Sequence, residues 1–387
     1  MREVVFFDGQ EREQLLPLTY LRPSSLCMVG MMTIEDQWHP LHHGNFSHLT
    51  PDYLNKLYPY RPQSDKVTFV NGACLPTDDL IGEIMELSYQ DVLYNASNHV
   101  VAFTCQPKDI RFRSDLLSYI AGLNRKEISA DLISYPEDIL QLGASRFTHQ
   151  YKKKTAILES ASLDETNRVI GDDLFVGKDT SVTCAIINTT EGPVYIDDRV
   201  SILENAIIKG PVYLGPDTRI HVAAQVYPDT FLGPQCRVGG EIKRTTMFGY
   251  SNKAHGGYLG DSVLGKWCNL GAATNNSNMK NTYGKVNLWD IHKGEKRKTE
   301  RQFLGSILGD HTMTAIQTSL NTGTMTGVFA CALDRNPPSY LSSFSWGNSK
   351  QYDVAKAVEV ARHAMSRRGI AMSDAYADVL YHIADER

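Results

Sequence analysis

Along the middle of the chain the aliphatic residues fall on a beat of six. Ile196, Ile202, Ile208, Leu214, Ile220, Val226, Leu232 and Val238 follow one another at that interval, with mainly small or polar residues between them. Glycine often comes next, as in Leu214-Gly215, Leu232-Gly233 and Val238-Gly239. An amphipathic helix would repeat at three, four and seven, and a half-buried strand at two. A period of six fits neither and marks a repeat architecture. Physically it describes a coil of triangular section, in which each hexad gives one short flat strand and one corner, and three hexads close a turn. Residues eighteen apart then stack, Ile202 on Ile220 on Val238 and Ile196 on Leu214 on Leu232. The stacking distance is one strand separation, ~4.8 Å.

The beat opens at Val176-Gly177 and Val182, and an insertion around Thr189 to Gly192 precedes the strict run. It resumes at Leu264-Gly265, Leu270-Gly271, Leu308, Thr314, Leu320 and Thr326. A polar arm from Asn275 to Phe303 interrupts it; such loops are functional or disordered. Its basic run, Lys293 to Arg301, reads as a solvated hairpin, with a ligand-reaching lid as the alternative. Asn336-Pro337-Pro338 is expected to close the repeat. Val354, Val358, Ala361 and Met365 then form one helical stripe, and Ser373 caps a last helix. Both helices are expected on the prism or on a neighbouring subunit. The hexads resemble the hexapeptide-repeat family, whose left-handed parallel β-helix departs from the right-handed crossover rule.

Before the repeat, the pattern predicts a small α/β domain. Val4 to Phe7, Lys66 to Val70 and Val100 to Cys105 read as strands, with a helix capped by Thr77 or Asp78 running to about Leu87. Alternation of strand and helix suggests a mostly parallel sheet with its ligand site at the strand carboxyl ends. A short helix is expected near Asp115 to Leu123, and the run Tyr151-Lys152-Lys153-Lys154 reads as a solvated linker. The division is 1–155 for the α/β domain, 156–335 for the β-helix and 336–387 for the helical tail.

Composition narrows the picture. A net charge of −5 argues for neither nucleic acid nor membrane as partner. Seven cysteines without a CxxC pair read as reduced thiols. No signal-peptide pattern opens the chain and no apolar run approaches ~20 residues, so the expected compartment is the cytoplasm. His39, His42, His43 and His48 crowd one segment, but no Cys or carboxylate stands at ligand spacing within it. It reads as a polar loop, and no metal site is assigned.

Between the first two strands, Pro17-Leu18-Thr19 and Pro23 resemble the P-L-T-x-x-x-P-K run of sugar nucleotidyltransferases. Ser24 stands at the lysine position, the glycine-rich loop is reduced to Asp8-Gly9-Gln10, and the family's N-G-D reads Asn71-Gly72-Ala73. The resemblance implies Asp8, Gly9, Arg22, Asn71 and Gly72 as nucleotide-binding positions. Arg22 could stand in for the lysine, and Asp8 or Asp78 for the metal ligand. Mg2+ enters only if this domain is active. With a lysine and a magnesium ligand gone, nucleotidyl transfer is expected to be poor or absent.

Within the repeat, Lys253-Ala254-His255-Gly256-Gly257-Tyr258-Leu259-Gly260-Asp261 and Asn269-Leu270-Gly271-Ala272-Ala273-Thr274 break the beat. They resemble K-A-G-H-L-T-Y-L-G-D and N-I-G-A-G-T of the bifunctional N-acetylglucosamine-1-phosphate uridyltransferase/glucosamine-1-phosphate acetyltransferase family. That resemblance implies His255 as general base, Tyr258 and Asn269 as sugar-site residues, and Lys243 of Glu241-Ile242-Lys243 as a sugar-phosphate ligand. It also puts coenzyme A, as acetyl-CoA the acyl donor, against Gly271, Ala272 and Ala273. Arg219 is a second phosphate candidate, with His221 where the family has another arginine and Ile316 in place of a serine. Lys285 of the arm is a candidate for an anionic ligand. An imidazole suits removal of a proton from an attacking amine, since its ordinary value of ~6.5 lies near working pH. The expected activity is acyl transfer to an amino-sugar phosphate by a homotrimer. The alternatives are a sugar-1-phosphate nucleotidyltransferase, a non-catalytic sugar-nucleotide binder, and a zinc site drawn from His221, His255 and His311.

Overall fold

A computed structural model describes residues 3–39, 41, 46–110 and 112–386. It contains an α/β unit, a left-handed parallel β-helix of about ten turns and two terminal helices.

In the α/β unit, β1 (Glu3–Phe7) runs parallel to β2 (Ser47–Leu49) on one side and β3 (Val67–Asn71) on the other. β4 (Asp91–Tyr94) and β5 (Val100–Cys105) form a hairpin, and β5 lies antiparallel to β3. β6 (Asn124–Glu127) closes the edge parallel to β4. The sheet is therefore mixed rather than mostly parallel, in the order β2-β1-β3-β5-β4-β6. The cause is the short strand β4, absent from the pattern reading. A tight turn joins it to β5, in which Asn95 Oδ1 accepts the N–H groups of Ser97 and His99 at 3.1 and 2.9 Å. A connection that short can only join antiparallel strands. α1 (Asp78–Glu86) starts where expected, with the Thr77 hydroxyl accepting the Leu80 N–H at 3.1 Å.

The lysine run that reads as a linker is the last turn of α2 (Asp138–Thr155). Ile139, Leu140, Gly143 and Phe147 make a buried helical stripe, and cations at the last turn complement the helix dipole. Phe147 and Tyr151 meet Phe231 and Tyr195 of the solenoid, with ring centroids 5.2 and 6.3 Å apart. Only a glycine fits at 143, since an added Cβ would stand 2.9 Å from the Phe231 ring.

The eighteen-residue stacking is present in the register: Ile196 pairs Leu214, which pairs Leu232, and Ile202 pairs Ile220, which pairs Val238. The next coil is shorter, pairing Leu232 with Met247 and Val238 with Lys253. One prism face carries the outward ladder Phe175, Tyr195, Tyr213, Phe231, which α2 covers; these rings share a core with Phe6 and Trp38 of the α/β unit.

The arm also docks at home. Asn287–Asp290 and Glu295–Lys298 form an antiparallel hairpin. Arg297 makes a bidentate pair with Glu137 at 2.7 and 2.6 Å and lies 3.8 Å over the Tyr135 ring. Val286 and Leu288 are buried in the core shared with the α/β unit. Parallel pairing continues beyond Asn336-Pro337-Pro338, with Tyr340 and Leu341 on Met325 and Thr326. α3 (Val354–Ser366) and α4 (Asp374–Asp385) pack on Phe329 and Phe344 of the last coils and on Leu21 and Leu54 of the α/β unit. Among the described residues, no helix is long and apolar enough to cross a membrane.

Candidate functional site

The shortened coil ends at a corner of the prism that carries His255. Its side chain is exposed and makes no hydrogen bond or ion pair among the described residues. Gly256 and Gly257 follow, the latter at φ +124, which lets the chain turn sharply there. Below the corner, Lys253 takes the inward ladder position next to Val238, only 1% exposed. Its ammonium donates to the His255 carbonyl at 2.5 Å and towards the Gly239 carbonyl at 3.5 Å. Burial lowers its pKa to about 8. A lysine in an aliphatic ladder has no packing rationale, and the beat of six could not expose it because the register changes there.

Two faces meet at this corner. On one, Tyr258 pairs Glu241 and Gly260 pairs Lys243, so Lys243 and Tyr258 share an edge. The Tyr258 ring lies over Gly260, whose added Cβ would stand 2.1 Å from the phenol oxygen. That oxygen accepts from Asn278 at 3.0 Å, and Asn278 also donates to Asp261 at 2.6 Å. Burial, then Asp261 and Glu241, push the Tyr258 hydroxyl up to about 12. On the other face the outward ladder runs Arg219, Arg237, Asn252, Asn269. Asn252 donates to Asn269 at 3.2 Å. His221 lies two coils back, across Gly239, its pKa lowered by burial and by Arg219, His255 and Arg237.

Of the three expected cofactor residues, two have occupied amides. The Gly271 N–H donates to Thr314 Oγ1 at 2.9 Å and the Ala273 N–H to the Gly256 carbonyl at 3.0 Å. The Ala272 N–H has no partner among the described residues. Lys285 pairs with Glu300 within the arm.

At the α/β unit the implied nucleotide residues are all engaged inside the fold. Asp8 is 1% exposed. One carboxylate oxygen accepts from the amide and hydroxyl of Ser24, and the other from Thr50 Oγ1, with Arg12 3.0 Å away. Arg22 donates to the Leu18 carbonyl at 2.6 Å and forms a buried ion pair with Asp310 of the solenoid. Burial opposes its charge, but Asp310 more than offsets this and raises its pKa. Asn71 donates to the Val100 carbonyl at 2.8 Å and accepts the Ala73 N–H at 2.9 Å. Gly9 and Gly72 are crowded by Glu11 and by Ser24. Glu11, missed in the sequence, is 2% exposed beneath the loop, and burial raises its pKa to about 7. A cleft of about 470 Å³ remains beside Gly9, Asp52 and Phe112. Its one described cation, Arg113, is tied to Glu13 at 2.9 Å and to the carbonyls of Asp8 and Gly9. The positions expected to hold magnesium do not fit it: Asp8 is saturated, position 73 is alanine, and Asp78 is away from the cleft, paired with Lys153 at 2.9 Å.

Among the described residues, no group of three metal-ligating side chains assembles in the histidine segment. His48 is buried against Glu35 at 2.7 Å, His39 is exposed, and His42 and His43 lie outside the described residues. His311 is buried in an aromatic stack with Trp267 and Phe329 and donates or accepts with Tyr376 at 2.8 Å. It is separate from His221 and His255, and burial lowers its pKa to about 4.

Residues 4–156 match the family model of sugar nucleotidyl transferases. The bifunctional protein GlmU of Methanococcus vannielii is 38% identical over 87 residues, 22% of this chain and 20% of its own. GlmU of Methanococcus aeolicus is 37% identical over 89 residues, with the same shares. GlmU of Acaryochloris marina is 42% identical over 67 residues, 17% of this chain and 14% of its own. Together with the α/β unit and the β-helix, these matches fit a GlmU-like family. The aligned segments span about a fifth of the length of the curated relatives, or less.

Proposed function

We propose that this protein is a cytoplasmic transferase whose β-helix moves an acetyl group from acetyl-CoA to the amine of an amino-sugar phosphate. The observation that carries this reading is the unencumbered His255, set between an edge bearing Lys243 and Tyr258 and one bearing Arg219 and Asn269. In the step, the neutral amine attacks the thioester carbonyl and the carbon–nitrogen bond forms. His255 takes the proton that the nitrogen sheds. The tetrahedral oxyanion is met by the Ala272 N–H. The carbon–sulfur bond then breaks and the thiolate recovers a proton from the imidazolium. Lys243 and Arg219 hold the sugar phosphate, and Tyr258 and Asn269 orient the ring. A base of this kind contributes ~10²–10⁴-fold, and an oxyanion donor in a dry site ~10²–10³-fold.

The assembly proposed is a homotrimer. The α/β unit already covers one prism face, so its partners must use the other two. Val222 and Ile316, 56% and 70% exposed on the corner flanking His255, suit burial there. Light scattering that gives a monomer at working concentration contradicts this assembly.

A second reading, nucleotidyl transfer or sugar-nucleotide binding in the α/β unit, draws on the cleft and on the family match. One experiment separates the two. Acetyl-CoA is incubated with glucosamine-1-phosphate and other amino-sugar phosphates while free thiol is followed. In parallel, nucleoside triphosphates with magnesium and sugar-1-phosphates are followed for pyrophosphate. Thiol release without pyrophosphate is expected. Pyrophosphate release near ~1 s⁻¹, an ordinary enzymatic rate, with no thiol, would reverse the assignment.

A further inference from the structure

Arg219 and Arg237 stand directly opposite one another on neighbouring parallel strands of the face beside His255. Such neighbours are ~4.8 Å apart, and like charges placed opposite each other weaken a sheet. Neither arginine forms an ion pair with any described residue. Elsewhere on the solenoid the pattern differs: Arg199 is bidentate on Asp217 at 2.8 and 2.9 Å, and Arg244 reaches Asp261 at 3.1 Å.

A third guanidinium is brought in from outside the repeat. Arg368, just past α3, donates to Asn252 Oδ1 at 2.8 Å and to the Gln235 carbonyl at 3.2 Å. Asn252 is the register partner of Arg237, so Arg368 is fixed over the same stripe. Both bonds orient it and neither neutralises it. Burial, then Arg237 and Arg367, lower its pKa, as expected of cations held close together without an acid among them. Three positive groups are thus stacked and aimed where folding alone would keep them apart.

We propose that Arg219, Arg237 and Arg368 form a binding site for the phosphate or diphosphate group of a small ligand, reaching from the His255 corner towards the end of α3. Guanidinium forks match phosphate oxygens in pairs. A multiply charged anion with several oxygens satisfies stacked forks that a single carboxylate would leave unbalanced. Of the three, Arg237 and Arg368 lie outside the motifs that suggest acyl transfer. The phosphate can come from the acyl donor, whose nucleotide end carries a diphosphate, or from the sugar acceptor. The site is read by binding alone, so it can fail while acyl transfer stands, and the reverse.

The test is titration calorimetry on the full chain with sodium pyrophosphate at low salt, followed by displacement with coenzyme A and with glucosamine-1-phosphate. Pyrophosphate should bind and raise Tm. Arg237→Gln and Arg368→Gln should each weaken it at least tenfold, and Arg237→Lys, which keeps charge but not the fork, should weaken it less. Arg125→Gln, an equal charge change on the edge of the α/β unit, should leave it unchanged. Displacement by coenzyme A assigns the site to the donor and displacement by the sugar phosphate to the acceptor; either supports it. No pyrophosphate binding at millimolar concentration, or equal weakening by Arg237→Gln and Arg125→Gln, would overturn it. Circular dichroism and Tm verify that the surface variants fold.

Discussion

Two regions of this molecule carry motifs that resemble those of transferases, and they treat their polar residues in opposite ways. At the strand ends of the α/β unit, Asp8, Arg22 and Asn71 are each 3% exposed or less and bonded within the fold. At the prism corner, His255, Lys243, Arg219 and Asn269 are exposed, and the histidine and both cations lack ion pairs among the described residues. The same kinds of side chain thus hold a domain together in one place and face solvent in the other. A saturated carboxylate such as Asp8 can take a new ligand only by giving up several hydrogen bonds, each worth ~0.5–1.5 kcal/mol net and more when charged. An exposed imidazole with no protein partner exchanges only its bonds to water.

The largest effect expected of this contrast is at the corner. His255→Ala should lower acetyl transfer by ~10²–10⁴-fold with Tm unchanged, since the side chain is exposed and makes no hydrogen bond or ion pair among the described residues. Wild-type turnover in that variant would remove the distinction. Next comes the buried pair that joins the two regions. Arg22→Met leaves the Asp310 carboxylate buried without its ion pair, holding only the Lys266 N–H at 2.7 Å, which costs about 3–5 kcal/mol in urea unfolding. Adding Asp310→Asn should restore much of that loss. An additive double variant would show that the pair is not a clamp.

Each region also buries one ionisable group against its preference, and their pH signatures run oppositely. Glu11 is raised from 4.5 to about 7, so the folded chain holds its proton more tightly. That contribution is full below pH 4.5 and is lost as pH rises through 7. Wild type should therefore lose up to about 3 kcal/mol relative to Glu11→Gln across that window. Lys253 is lowered from 10.5 to about 8. The penalty of its buried charge is full below 8 and is relieved as pH rises towards 10.5. Against Lys253→Met, wild type should regain up to about 3 kcal/mol there. Denaturation midpoints across pH 4–11 check both, and parallel curves for wild type and variant would refute either. The smallest effect is expected in the arm: Lys285→Gln should shift stability by no more than ~0.5 kcal/mol and leave acetyl transfer unchanged. A raised KM for the sugar phosphate would show that Lys285 reaches the bound ligand.

The sequence by itself determined the prism. A beat of six survives any local ambiguity, because every turn of the coil repeats the same burial requirement. It also determined the caps of α1 and the last helix, where Thr77 and Ser373 accept the first free amides. The corner around His255 was legible as a motif, since its glycines and histidine interrupt the beat. What the tertiary structure decided concerns partners distant along the chain. Lys152 to Lys154 belong to a helix because Phe147 and Tyr151 find the Phe231–Tyr195 face. The sheet is mixed because one four-residue strand completes a hairpin. Arg22 is a clamp because Asp310, 288 positions away, lies opposite it. Arg368 stands beside Arg237 because the end of α3 reaches back to the coils of Gln235 and Asn252. Periodicity records which residues are buried, but a charge is settled by its nearest opposite or like neighbour, and only folding brings those neighbours together.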